Sequence, residues 1–255
     1  MNESSSTASA WFRVFVPRPQ ARVKLICFPH AGGAASAFRN WAELLPPTVE
    51  LVAVQYPGRQ DRFNEPALED MDVLVDRIAF AASHRLSGPV AFFGHSLGAT
   101  VAFEVAQRLA TLPRPTVVRL FASARSAPSV DRRNATEFPD DDALMRYIRT
   151  LGGAGATVLQ DAELRELTLP TLRSDFRLVA GYRPSTSEPL ACPVTAIAGD
   201  ADPSFTLADA ENWRRHTSGA FNAVELPGGH FYTEDVPAEL VRILVGELGE
   251  QAAAA

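Results

Sequence analysis

Five consecutive residues, Gly94-His95-Ser96-Leu97-Gly98, have the types and spacing for nucleophilic attack on an acyl group. A serine hydroxyl is a weak nucleophile, so it needs exposure, a base beside it and donors for the oxyanion that forms after attack. Gly-x-Ser-x-Gly supplies the exposure when it turns sharply from a strand into a helix. Side chains two residues to either side of the serine would then collide, so Gly94 and Gly98 carry none. The backbone N–H of Leu97, opening the helix, faces the developing charge with the helix dipole behind it. Beyond Ser96 the chain has two histidines, His216 and His230. His216 sits beside Arg214 and Arg215 in a helical pattern, where a histidine caps a helix or is solvated. His230 follows a strand pattern on the loop Pro227-Gly228-Gly229 and is the expected base. Asp200 and Asp202 follow another apolar run; Asp202, farther along its turn and stiffened by Pro203, is favoured to reach His230, with Asp200 as the alternative.

The elements that must hold these residues alternate along the chain. Val90 to Phe93 reads as a strand into the serine turn, and Leu97, Val101, Val105 and Leu109 follow at helical spacing. Upstream, a strand over Val23 to Phe28 closes on Pro29-His30-Ala31-Gly32-Gly33, followed by a helix from Ser36 to Leu45 with Phe38, Trp41, Leu44 and Leu45 inward. A strand over Glu50 to Val54 leads to Tyr56-Pro57-Gly58-Arg59, and a helix runs from Asp70 to Leu86. Val117 to Ala122 is the next strand. Residues 126–184 then show no strand pattern, only a helix over Asp141 to Leu151, a flexible Gly152-Gly153-Ala154-Gly155 and helical segments through Leu164 to Leu167 and Leu172 to Tyr182. This insertion reads as a helical lid. Strands at Val194 to Ala198 and Ala223 to Leu226, with helices at Leu207 to His216 and Val236 to Leu248, complete the chain.

Continuously apolar strands alternating with helices predict a mainly parallel sheet covered on both faces, hence class α/β. Strand-turn-helix around Gly-x-Ser-x-Gly makes it an α/β-hydrolase fold, one domain over 1–255 carrying the 126–184 lid. In that fold the acid follows one late strand and the histidine the next, the order of Asp202 and His230. The loop after an early strand supplies the second oxyanion donor, here the N–H of Ala31. His30, on the same loop, suits shaping it better than acting as a base.

Composition removes other classes. A formal net charge of −6 offers no basic face for nucleic acid. Cys27 and Cys192 form no ligand spacing, so they read as buried thiols rather than a disulfide or metal site. The first residues lack a basic and an apolar region in tandem, and no apolar run has membrane length, so a cytoplasmic protein is expected.

Phe28-Pro29-His30-Ala31-Gly32-Gly33, Tyr56-Pro57-Gly58-Arg59, Gly94-His95-Ser96-Leu97-Gly98, Gly199-Asp200-Ala201-Asp202 and Leu226-Pro227-Gly228-Gly229-His230-Phe231 occur in this order and spacing. Together they resemble the type II thioesterases that accompany polyketide synthases and nonribosomal peptide synthetases. The resemblance implies hydrolysis of stalled or mis-primed acyl groups from the phosphopantetheine arm of an acyl or peptidyl carrier protein, without metal or cofactor; a monomer is expected. It also implies an open-ended channel between lid and sheet, with Arg59, Arg173, Arg177 and Arg183 as candidates to meet the phosphate or the carrier surface. A broad serine esterase or acyl-CoA hydrolase shares every catalytic residue. A non-catalytic carrier-binding module is the alternative from another class.

Overall fold

A seven-stranded sheet of order β1-β3-β2-β4-β5-β6-β7 organises the computed structural model, which describes residues 10–130, 137–186 and 188–249. The strands are β1 (Phe12–Arg13), β2 (Val23–Phe28), β3 (Val49–Val54), β4 (Pro89–His95), β5 (Thr116–Ser123), β6 (Val194–Gly199) and β7 (Phe221–Leu226). Every pairing is parallel except that of β1 with β3, a short edge pair that the apolar pattern did not signal. The α/β class expected from the alternation is therefore the observed one.

Helices α1 (Met71–Arg85) and α2 (Leu97–Leu109) cover one face, where Leu74, Ile78, Val101 and Phe103 pack with Trp213. The other face is covered by Phe38, Trp41 and the last helix, Pro237–Leu248, through Leu240, Leu244 and Leu248. Burial of both faces explains why the central strands are apolar without alternation. Asp70 caps α1 by accepting the N–H of Val73 at 3.1 Å.

Several expected elements take a different form. The helix expected from Ser36 to Leu45 is a 3-10 turn at Ala35–Phe38 and a helical turn at Trp41–Leu44, which leaves Leu44 exposed at 45%. The insertion forms α3 (Asp141–Leu151), α4 (Gly153–Val158) and α5 (Ala162–Gly181). The glycine cluster is thus largely helical, with a break at Gly152. The two expected helical segments are one helix that runs through Pro170. Proline removes a donor to the Glu166 carbonyl, and Glu166 lies on the exposed side of α5. Leu144, Met145 and Ile148 of α3 pack with Leu169 and Leu172 of α5 and with Leu159, which follows α4. Beyond β6, the expected helix to His216 is a turn at Leu207–Ala210 and a 3-10 stretch at Glu211–His216.

Cys27 and Cys192 are free and buried, as read. No helix among the described residues is long and apolar enough to cross a membrane.

Candidate active site

Ser96 stands between β4 and α2 with φ 54° and ψ −119°, in left-handed backbone that costs a non-glycine residue about 1–3 kcal/mol. A Cβ on Gly94 would lie 2.2 Å from the Gly98 carbonyl oxygen, and one on Gly98 would lie 2.1 Å from that of Phe28. The elbow therefore rests on the end of β2, the strand paired with β4. This contact sets the Pro29–Gly33 loop, and with it Ala31, alongside Ser96. Leu97 is the first residue of α2, where N–H groups have no intrahelical acceptor. Ser96 N–H is held by the Ser123 carbonyl at 2.9 Å, while its side chain remains partly exposed.

The loops after β6 and β7 bring the acid and the base together. Asp202 Oδ2 lies 2.8 Å from His230 Nδ1, and both residues are buried. The other oxygen, Oδ1, accepts the N–H and the hydroxyl of Ser204, each at 2.8 Å. Burial alone disfavours the Asp202 charge. The hydrogen bond and charge of His230, with both Ser204 donors, outweigh it and hold the carboxyl below its ordinary value. Asp200 is exposed instead, and its Oδ1 accepts the Gly228 N–H at 2.9 Å, fastening the His230 loop to the Asp202 loop. Sequence reading missed Ser204; its place two residues after Asp202, where a side-chain oxygen caps the local turn, was the available signal.

Around His230 the imidazoles of His95 and His30 form a cluster, with ring centroids 5.3 Å apart for His95–His230 and 5.9 Å for His30–His95. His95 Nδ1 meets Ser123 Oγ at 2.7 Å, and Ser123 in turn meets the Tyr232 hydroxyl. Burial lowers the His30 pKa to about 4, helped by the neighbouring His230 and Arg59 and opposed by Asp175. His95 is likewise held well below its ordinary value, by burial first and then by its two histidine neighbours. The His30 carbonyl accepts the Gly33 N–H at 2.9 Å, closing the turn around Ala31 and Gly32.

Ser96, His230, His30 and Ala31 line one cavity of about 70 Å³, roofed by Ile148, Leu172 and Phe176 of the inserted helices. A drug-sized ligand needs about 300 Å³ or more, so this space differs from the expected open-ended channel. The insertion rests directly on the catalytic loops: Ala154 N–H donates to Glu234 at 3.0 Å, and Leu172 covers Gly32.

Arg59 corrects an expectation. It is buried and paired through both terminal nitrogens with Asp175 of α5, so it presents no free guanidinium at the surface. The pattern around Pro57-Gly58-Arg59 did not show which distant carboxylate would meet the guanidinium. Arg173 and Arg177 are exposed but engaged by Asp141 and Glu69; Arg183 is exposed and donates to nearby backbone carbonyls. His216 is neither a solvated cap nor near Ser96. It is buried against Phe103 and Trp213, with Nε2 2.9 Å from Ser129 Oγ. Among the described residues, no three His, Cys, Asp or Glu side chains cluster as a metal site.

A nucleophile elbow, a buried histidine–carboxylate pair and a glycine loop beside them constitute the parts of an acyl-transfer site. The thioesterase domain family model matches residues 23–247. Thioesterase PikA5 of Streptomyces venezuelae is 46% identical over 226 residues, 88% of this chain and 80% of that one. The structure of the type II thioesterase BorB from the borrelidin biosynthetic cluster is 40% identical, with a TM-score of 0.85 over 94% of this chain and 98% of that one. YbtT, a type II thioesterase from the yersiniabactin NRPS/PKS biosynthetic pathway, is 26% identical with a TM-score of 0.84, over 95% of this chain and all (100%) of that one. With its sequence matched from β2 to the last helix and its fold shared along nearly the whole length, the chain belongs to the thioesterase family.

Proposed function

We propose that this thioesterase removes stalled or aberrant acyl groups from the phosphopantetheine arm of acyl or peptidyl carrier proteins, as an editing enzyme of polyketide or nonribosomal peptide assembly in the cytoplasm. The observation that carries the chemistry is the 2.8 Å His230–Asp202 contact beside a serine on a strained elbow in the same cavity. His230, fixed through Nδ1, uses Nε2 to take the Ser96 proton as Oγ attacks the thioester carbonyl. The N–H groups of Ala31 and Leu97 hold the oxyanion. Collapse of the tetrahedral intermediate breaks the carbon–sulfur bond and leaves acyl-Ser96, with the His230 proton passing to the departing sulfur. Water, deprotonated by His230, then cleaves the ester, and the proton returns to Ser96. Asp202, ionised at neutral pH, stabilises the imidazolium in each half.

The scheme uses no metal or cofactor and is complete within one monomer. The inserted helices act as its lid and must rise to admit the arm. The placement in such assembly is supported by the similarity to type II thioesterases, among them one from an NRPS/PKS biosynthetic pathway. A second, free-substrate reading is hydrolysis of small esters or of short acyl-CoA; the cavity of about 70 Å³ suits a short acyl group in either case, since coenzyme A ends in the same arm as the carrier.

Intact-protein mass spectrometry of a carrier loaded with a short acyl-phosphopantetheine separates the two readings. The expected result is loss of the acyl mass with the wild-type protein, faster than cleavage of the matching free thioester, and at least about 10³-fold slower loss with Ser96→Ala. A carrier that stays acylated while acyl-CoA is cleaved would leave the small-substrate reading.

A further inference from the structure

Asp175 belongs to the inserted helix α5, yet its carboxylate reaches the loop that carries Ala31. One oxygen, Oδ2, accepts the N–H of Gly32 at 2.7 Å and Arg59 Nη1 at 2.7 Å; Oδ1 accepts Arg59 Nη2 at 2.8 Å. Arg59 Nη1 also donates to the Gly33 carbonyl at 3.1 Å. Asp175 is 1% exposed and Arg59 7%. A buried ion pair contributes little net stability, because desolvation offsets the attraction, so its effect is sought in what it orients.

What it orients is backbone. Gly32 N–H belongs to the peptide that follows Ala31, and Gly33 O lies just beyond, so the pair grips both ends of a Gly-Gly segment. That segment is otherwise the most pliable part of the loop, and Gly32 has φ 75°. Leu172, on the same side of α5, closes on Gly32 so tightly that a Cβ there would lie 2.5 Å from its Cδ2. Thr171 adds a hydrogen bond to the Gly58 carbonyl at 3.0 Å, next to Arg59. The hold on Gly32 N–H therefore comes from the insertion, while that on the Gly33 carbonyl comes from Arg59, on the loop after β3.

We propose that Asp175 is a positioning residue that aims the Ala31 N–H only while α5 is docked, so that closure of the inserted helices and completion of the oxyanion hole are one event. The proposal rests on the reading of Ser96 and Ala31 given above and deepens it. With α5 raised, Gly32 loses its acceptor and the donor set relaxes. A thioester that enters without allowing closure is then bound but not cleaved.

The test compares two double variants that each remove both buried charges: Asp175→Leu with Arg59→Met, and Asp175→Asn with Arg59→Met. Only the second keeps an oxygen for Gly32 N–H. Each is assayed for hydrolysis of an acyl-N-acetylcysteamine thioester and for phosphonylation of Ser96 by a fluorophosphonate, read by intact mass. Loss of one oxyanion donor costs about 10²–10³ in kcat, so a misaimed donor should lower kcat of the leucine variant by about 10–100-fold. KM should change by less than about twofold, since the donor acts on the transition state. The asparagine variant should recover at least about tenfold of that loss in both assays.

Equal kcat and equal phosphonylation in the two variants would overturn the proposal, as would a defect confined to KM. If the leucine variant does not fold, Asp175→Ser with Arg59→Met, too short to reach Gly32, takes its place with the same criteria. A wild-type protein that is phosphonylated at Ser96 but cleaves no thioester would overturn the proposed function instead, and the phosphonylation ratio would decide on Asp175. A wild-type Ser96 inert to both reagents would remove both readings.

Discussion

Two aspartates separated by one residue have different work because of where each carboxylate finds donors. Asp202 meets an imidazole and the two donors of Ser204 inside the protein, whereas Asp200 meets a loop N–H at the surface. Asp202→Asn should therefore lower kcat by about 10⁴, through loss of the correct imidazole tautomer. Asp200→Ala should leave kcat within about tenfold and cost about 1 kcal/mol of stability, from the lost acceptor of Gly228 N–H. Thioester kinetics and urea midpoints on the two variants check both halves, and the reverse pattern would exchange their roles. Arg59 carries a related lesson. A guanidinium in a Pro-Gly turn reads as a candidate for the phosphate or the carrier surface until a carboxylate 116 positions away is folded against it.

At the scale of the element, the elbow stores strain that the strand and helix on either side impose. Ser96 is held at φ 54° by the contacts of Gly94 and Gly98 and by the Ser123 carbonyl. Glycine is normally the less stable replacement because of its chain entropy, but at positive φ it avoids the Cβ clash. Ser96→Gly should accordingly be more stable than Ser96→Ala by about 1 kcal/mol, both being inactive. Chemical denaturation of the pair measures this directly; equal midpoints would mean that the elbow relaxes. The inserted helices show the opposite economy, with their own apolar cluster and a few polar ties to the catalytic loops. Leu178 and Val179, near the end of α5, belong to the main core, so separation of the inserted helices from the sheet has to hinge at that end.

For the whole molecule, the imidazole cluster couples stability to pH. His30, held at about 4, and His95, held lower than its ordinary value, stay neutral in the folded protein where the unfolded chain, at 6.5, takes up protons. The unfolded state then binds more protons between about pH 6.5 and 4, so stability falls as pH falls through that window. Asp202 acts lower: its depressed folded value gives stability that is present above its ordinary 3.8 and lost as pH drops through the folded value. The urea midpoint should thus decrease from pH 7 to pH 5, and His30→Gln should reduce the slope by up to about one proton. An unchanged slope would show that His30 titrates normally in the folded state.

Sequence by itself determined the strand and helix alternation, the elbow and the residues from which the site is built, because each depends on short-range constraints. Burial on both faces makes strands continuously apolar, a tight turn excludes side chains at Gly94 and Gly98, and a histidine on a glycine loop after a strand has few other uses. Even the 3-10 breaks at Ala35–Phe38 and Glu211–His216 changed only the form of elements that were read in place. Tertiary structure alone decided which of two aspartates meets His230, that His216 is a core residue beside Trp213, and that Arg59 and Asp175 face each other under α5. It also decided that the space above Ser96 is a small cavity. These outcomes depend on contacts between segments far apart in the chain, where the partner of a charged group is fixed by packing geometry rather than by its neighbours in sequence.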